Sequence, residues 1–317
     1  MCLSEMLSIH PEVADALGTG QPVVALESSI ISHSSSWPAN VETAFQVEAE
    51  IRAHGAIPAT CAVVNGRIKV GLTRDEIEHL GRGGHDVAKV SRRDIALLVA
   101  SEGDGATTIS ATMIIANLAG IRVFAAGGLG GVHRGAQETF DISADLQELA
   151  RTPVALVCAG IKSILDVPLT LEYLETHGVP IIGYRTNRLP GFFTCDSEFS
   201  VDMRIDDAHR IACVIQANLA LGLNNGLVVA NPIPEAFALP REVIDLAIEQ
   251  ALSEADADGI TGKSITPFLI SRVNALTAGA SAAGSIQIGL GNARLASAIA
   301  VAYASLSSEL TPKHSSA

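Results

Sequence analysis

Apolar runs of strand length alternate with amphipathic stretches of helix length along most of the chain. Residues 22–31, PVVALESSII, predict a buried strand carrying one carboxylate, Glu27. Pro38 then opens a helix with an apolar stripe at Val41, Ala44, Phe45, Val47 and Ile51, and Gly55 ends it. Residues 59–70 predict a hairpin about Asn65-Gly66, and Thr73 with Glu76 caps a short acidic helix that Gly81 stops. The segment 86–94, DVAKVSRRD, reads either as a solvated basic turn or as a short strand. In the second case Lys89 points into a cleft and Arg92 and Arg93 pair with carboxylates. Residues 105–120 are small or apolar all round and predict a buried helix with Thr107 and Thr108 at its N-terminus. The run 121–128 predicts a second buried strand, and 140–150 a helix start. The apolar run Val154 to Val157 predicts a strand of a parallel sheet, since both of its faces are apolar. Helices at 168–178 and 206–221 alternate with strands at 179–186 and 226–234. Helices at 240–257, 264–277 and 285–306 close the pattern. The expectation is an α/β protein of one domain, residues 1–317, with a helical C-terminal part.

Composition narrows the class. Of the 317 residues 48% are hydrophobic and only 17% charged, which excludes a disordered chain. Aromatic residues are 4%, so Ala, Val, Ile and Leu must fill the core. The apolar stretches 107–120 and 211–230 are broken by Thr, Asn and Gln and are not membrane spans. MCLSEMLSIHPEV has neither the basic start nor the apolar segment of a signal peptide. Cys2, Cys61, Cys158, Cys195 and Cys213 are odd in number and form no CxxC pair. They argue against zinc and disulfide frameworks and for a reducing, cytoplasmic setting. A net charge of −13 excludes a nucleic-acid polymer as partner. It also makes local basic clusters informative, because an acidic protein that holds an anionic small molecule must concentrate positive charge in one place.

The candidate chemistry sits at the ends of the apolar runs. Lys162 follows the 154–157 strand after Ala159-Gly160-Ile161, at the carboxyl end where open α/β sheets place ligands. Small apolar neighbours desolvate its ammonium, which lowers the pKa and favours a nucleophilic amine; a lysine snorkelling from a strand end is the plainer alternative. Glu27 in an apolar strand either faces solvent or works in a site. The loop GGLGGVHRG (127–135) lets backbone N–H groups approach a phosphate beside His133 and Arg134, or is simply a tight turn. Ser143 suits a helix N-cap with Asp141 and Asp145 as dipole partners, and Asp141 equally suits a hard cation such as Mg²⁺ or Mn²⁺.

The blocks VALESSIISH, NVETA, PATCAVVNGRIKVGL, KVSRRD, GATTISATM, GIRVFAAGGLGGVHRG, FDISADL, VCAGIKSILD, TLEYLETHGVP and VVANPIP closely resemble the pseudouridine-5′-phosphate glycosidase, or indigoidine synthase A-like, family over about residues 23–305. The resemblance implies a three-layer α/β/α fold around a mostly parallel central sheet, assembled as a homotrimer, with a divalent metal, usually manganese. It implies reversible cleavage of the C–C glycosidic bond of pseudouridine 5′-phosphate to uracil and ribose 5-phosphate. Position by position, Lys162 matches the covalent nucleophile, Glu27 the proton donor and Asp141 the metal ligand. Lys89, Ile109 beside Thr108, and Ser143, Ala144 and Asp145 match substrate contacts, and His133 lies in the shared glycine-rich loop. Two blocks depart. HSSSWPAN (33–40) replaces the family's HGMPYPxN, and Ser285 stands where the family has a base-contacting Asn, with Gln287 two residues on. The catalytic core is thus intact and base recognition altered. A Schiff-base lyase acting on a related C-nucleotide or sugar phosphate, and a non-catalytic sugar-phosphate-binding relative, are the competing readings.

Overall fold

The computed structural model describes residues 2–310. Among them, eleven strands pair into one sheet: β1 (Leu7–Ile9), β2 (Val23–Glu27), β3 (Ile57–Val64), β4 (Arg67–Val70), β5 (Ala88–Val90), β6 (Gly105–Thr107), β7 (Val123–Ala125), β8 (Ala155–Cys158), β9 (Ile181–Tyr184), β10 (Met203–Ile205) and β11 (Leu227–Ala230). The order is β1-β4-β3-β2-β7-β8-β11-β9-β10, with β6 on β3 and β5 on β6. Only β3–β4 and β3–β6 are antiparallel, so the sheet is mostly parallel.

Side-chain parity makes three layers. Val24 and Leu26, Val123 and Ala125, Ala155 and Val157, and Leu227 and Val229 pack on helices Ala39–Ala53, Ala208–Ala220 and Ala280–Leu310. The alternate residues, Val23 and Ala25, Phe124, Leu156 and Cys158, and Val228 and Ala230, share the opposite core with helices Pro11–Gly18, Ile109–Leu118, Ala144–Leu149, Val167–Thr176, Arg241–Ala257 and Ile265–Leu276. Both faces are covered, which is why these strands read as unbroken apolar runs.

The hairpin stands where expected, with positive φ at both Asn65 and Gly66. Several boundaries move. The 22–31 strand ends at Glu27 and turns into a short helix, Ser29–His33. The run 105–120 is not one helix. Gly105–Thr107 pairs with β3 and β5, and the helix begins at Ile109 with Thr108 as N-cap. Pairing from both sides outweighs local propensity there. Gly81 lies inside helix Arg74–Gly83 rather than ending it. A Cβ on Gly81 would stand 2.2 Å from Val41 Cγ2, so the glycine serves close packing, and Gly84 closes the helix. Helices Pro11–Gly18 and Arg92–Ala100 were not foreseen, and the last helix starts at Ala280 rather than 285.

The last helix is tied to the sheet at one buried polar point. Asn292, 1% exposed, donates to Ala126 O (2.7 Å) and Gly127 O (3.3 Å), just past β7. Its Oδ1 accepts from Asn231 Nδ2 at 3.0 Å, just past β11. Asn292→Ala strands those buried groups and is expected to cost about 2 kcal/mol. A lower urea midpoint at constant m-value is the expected readout; an unmoved midpoint would show that the tie is not needed.

Candidate active site

Strands β2, β7 and β8 lie side by side and parallel, with Leu26 opposite Ala125 and Ala125 opposite Val157. Their carboxyl ends therefore finish level. Glu27 closes β2, the glycine-rich loop leaves β7, and the turn bearing Lys162 leaves β8. The last two are laced together: Ala159 N donates to Gly127 O (2.9 Å), Leu129 N to Gly160 O (2.9 Å) and Lys162 N to Leu129 O (3.0 Å). Gly128 is small because it must be. A Cβ there would stand 2.5 Å from the Phe192 ring and 3.2 Å from Lys162 Cγ. Both the Phe192 ring and the Lys162 stem thus crowd the place a Gly128 side chain would take.

Glu27 is 6% exposed, and the Ser29 hydroxyl donates to its Oε2. Burial pushes its carboxyl above the usual range; the Lys162 charge and the Ser29 hydrogen bond oppose the shift, Asp145 adds to it and Lys89 opposes it. The charges of Lys162, Asp145 and Lys89 thus all bear on the Glu27 carboxyl.

Asp145 is the structural knot beneath it. Its Oδ1 accepts the Ser110 N–H (2.9 Å), its Oδ2 the Gly130 N–H (3.2 Å), and its own N–H goes to Ser143 Oγ (3.2 Å). A Cβ on Gly130 would lie 2.5 Å from Asp145 Oδ2, so the loop approaches the carboxylate without a side chain. Ser143 is the N-cap of helix Ala144–Leu149, as expected. The Arg92 guanidinium grips the buried Glu148 carboxylate with bonds of 2.6 and 2.9 Å and so holds that helix against helix Arg92–Ala100. Lys89 sits between these parts on β5. The Thr108 hydroxyl donates to Val90 O (3.0 Å), and Ser91 Oγ and Ser110 Oγ lie 3.0 Å apart, which fixes the strand that carries the lysine. Ile109 is buried at the first helical position.

His133 and Asp141 meet across the loop, the His133 N–H donating to Asp141 O at 3.0 Å. Burial lowers the His133 pKa, Asp141 opposes this, and Lys162 and Lys89 reinforce it. No group of three or more His, Cys, Asp or Glu suited to a metal occurs among the described residues. A single half-buried carboxylate such as Asp141 does not fit zinc. It does fit a hard cation that keeps most of its water and takes substrate oxygen.

Ser285 lies on helix Ala280–Leu310 and donates its hydroxyl back to Ser281 O at 2.9 Å. Sequence reasoning passed over the buried set under Glu27. There Ser28 Oγ and Thr107 Oγ1 both donate to Cys61 O (2.7 Å each), Thr107 N donates to Ser28 Oγ (2.8 Å), and Thr112 donates to Thr107 (2.9 Å). Small polar residues inside apolar runs were the signal available. A cleft of about 350 Å³ opens beside the Lys162 turn, lined by Arg134, Ser163, Asp166, Gly191, Glu198 and Arg241 among others. Glu27, Lys89 and Lys162 are not among its walls, and the converging charges, not this cleft, mark the site.

The arrangement suits covalent chemistry: a lysine at a strand end, a buried carboxyl whose pKa burial raises, and a second lysine whose charge acts on the same carboxyl. The family described as "Indigoidine synthase A like protein" matches residues 12–302. Relatives named pseudouridine-5′-phosphate glycosidase include one from Hahella chejuensis, 58% identical over 95% of this chain and 99% of that protein. Another, from Escherichia coli K12, is 59% identical over 94% of this chain and 96% of that protein. Among solved structures, the prealnumycin C-glycosynthase AlnA in complex with ribulose 5-phosphate is 37% identical, with a TM-score of 0.88 over 96% of this chain and 99% of that one. An indigoidine synthase A-like protein of Thermotoga maritima is 33% identical, with a TM-score of 0.85 over 93% of this chain and 96% of that one. With the Lys162, Glu27 and Asp145 segments folded into one site inside the matched span, this chain belongs to the indigoidine synthase A-like protein family.

Proposed function

We propose that the protein cleaves, reversibly, the C–C glycosidic bond of pseudouridine 5′-phosphate through an imine on Lys162. The observation that carries this reading is the buried Glu27 carboxyl, pushed toward its protonated form within reach of the Lys162 charge. The naming of relatives above 55% identity supports the substrate. A C–C glycoside has no heteroatom leaving group, so the paired-carboxylate route of ordinary glycosidases does not serve. The Lys162 amine instead attacks C1′ and displaces the ring oxygen, which takes a proton from Glu27. The C1′–C5 bond then breaks toward uracil C5, which takes a proton, and leaves a C1′=N iminium. Water hydrolyses it to ribose 5-phosphate and frees the lysine.

Asp141 is the residue that would hold a divalent cation, which when bound would orient substrate and water oxygens. Ser285, its hydroxyl hydrogen committed to Ser281 O, presents only lone pairs to a base, so uracil is read less strictly than by an Asn amide. That feature and the likeness to a C-glycosynthase favour one second reading, the same imine chemistry on a related carbon nucleophile. Uracil release from pseudouridine 5′-phosphate separates the two.

Borohydride added with ribose 5-phosphate is expected to fix one pentose phosphate on Lys162, located by peptide mass. An adduct that persists in Lys162→Ala would refute the assignment. Chelation is expected to abolish turnover and Mn²⁺ to restore it, with weaker Mn²⁺ binding by Asp141→Ala in paramagnetic resonance; unchanged binding would remove that residue from the metal. Glu27→Gln is expected to lower kcat at least about a hundredfold. The same variant has a stability signature. Because the folded-state pKa of Glu27 is raised, the native state holds its proton more tightly than the unfolded state, and stability falls as pH rises from the unfolded toward the folded pKa. Gln removes that dependence, so the variant should melt higher than the wild type at pH 8 and level with it near pH 4. Melting curves that differ equally at both values would contradict an uncharged Glu27.

A further inference from the structure

Asn231 and Asn292 share a hydrogen bond that no step of the reaction above uses. Asn292 is 1% exposed and lies well inside helix Ala280–Leu310. Ala293, Leu295, Ala296, Ile299 and Ala300, all buried, already attach that helix to the sheet. Attachment alone does not call for a buried amide, whose desolvation offsets most of what its hydrogen bonds return. What the amide adds is direction.

Its bonds bracket one strand. In the sheet β8 lies between β7 and β11. Asn292 Nδ2 holds Ala126 O (2.7 Å) and Gly127 O (3.3 Å) at the end of β7. Asn231 Nδ2, at the end of β11, donates to Asn292 Oδ1 (3.0 Å), and the Asn231 N–H donates to Cys158 O (2.8 Å) on the last residue of β8. The two amides therefore bridge the strands on either side of β8 where it gives way to the Lys162 turn. Gly127 O is the shared point, since it takes both the Asn292 amide and the Ala159 N–H (2.9 Å). From there the lacing continues, Leu129 N–H to Gly160 O (2.9 Å) and Lys162 N–H to Leu129 O (3.0 Å). Ala159, Gly160 and Ile161 have no polar side chains with which to fix the turn. Its place is set by these backbone bonds and by whatever holds the loop they run to. We propose that Asn292, supported by Asn231, is a positioning residue for Lys162. It fixes the Gly127 carbonyl and, through the laced loop, the place of the Lys162 amine relative to the carbon it attacks. This rests on the imine reading above.

The test sets Asn292→Ala beside Ile299→Ala. Ile299 is fully buried further along the same helix, so its truncation opens a cavity and lowers stability without removing a bond to the loop. Both are assayed on pseudouridine 5′-phosphate at a temperature where circular dichroism shows them folded. Asn292→Ala is expected to lose roughly ten- to hundredfold in kcat with KM within a few-fold, the cost of a nucleophile displaced by up to about 1 Å. Ile299→Ala should keep its kcat within a few-fold. Borohydride trapping of ribose 5-phosphate on Lys162 should slow by the same factor as kcat. Hydrogen exchange followed by mass spectrometry gives a readout independent of turnover. The Leu129, Ala159 and Lys162 amides should exchange roughly tenfold faster in Asn292→Ala than in Ile299→Ala. Asn231→Ala keeps both carbonyl bonds and should show the same split at a few-fold; it decides the matter if Asn292→Ala does not fold. Equal kcat losses in Asn292→Ala and Ile299→Ala, or exchange at the three amides no faster than in Ile299→Ala, would overturn the proposal. In a wild-type protein that releases no uracil the substrate reading falls, and the exchange comparison then decides this proposal alone.

Discussion

Asp145 accepts the Ser110 N–H through one carboxylate oxygen and the Gly130 N–H through the other, and the site is arranged about those two bonds. They join three pieces of chain that are separate in sequence: the start of helix Ile109–Leu118, the loop after β7 and the start of helix Ala144–Leu149. Once joined, the loop can lace to the Lys162 turn, and Ser110 can reach Ser91 beside the Lys89 strand. The same carboxylate acts on Glu27 from the inside and pushes its pKa in the direction burial already drives it. Scaffold and chemistry therefore meet in one buried charge, with its hydrogen-bonding capacity met by backbone rather than by water.

How much of this was legible beforehand depended on how local each cause is. The buried runs of β2 and β8 were readable because an apolar run carrying or closely followed by one polar residue has few explanations, and Glu27 and Lys162 are such residues; the end of β2 was not, since the expected strand ran on into helix Ser29–His33. The hairpin at Asn65-Gly66 was readable because two successive positive φ values admit few side chains. The Ser143 cap was likewise a short-range signal. Strand β6 was not. Gly105–Thr107 is extended because β3 and β5 pair with it, and nothing within the segment announces those partners. Asn292 and the Ser28–Thr107 pair were hidden for the same reason: their partners lie at strand ends far away in sequence.

Ser285 and His33 mark the limit of reading roles from aligned blocks. At 285 the block comparison turns on a lost amide, while the structure adds that the replacing hydroxyl donates within its own helix. At His33 the comparison points at the altered residues that follow. The histidine becomes conspicuous only when its ring nitrogen is found enclosed and unsatisfied.

The acidity of the chain and the cations of its site belong to one argument. With a net charge of −13, an anionic substrate is repelled at long range, and screening confines that repulsion to roughly 8–10 Å in physiological salt. Inside that distance the local groups decide. Lys89 and Lys162 both act on the Glu27 carboxyl; burial and Lys89 lower the pKa values of His33 and His133, with His85 adding to the first and Lys162 to the second. Neutral histidines matter here. Were they charged, they would add repulsion among cations already crowded together, whereas uncharged rings can still donate a hydrogen bond. The site can therefore favour an anion through two lysines and neutral donors, and still keep Glu27 close to protonation. A third and fourth cation would drive that carboxyl toward ionisation and remove the acid the reaction needs.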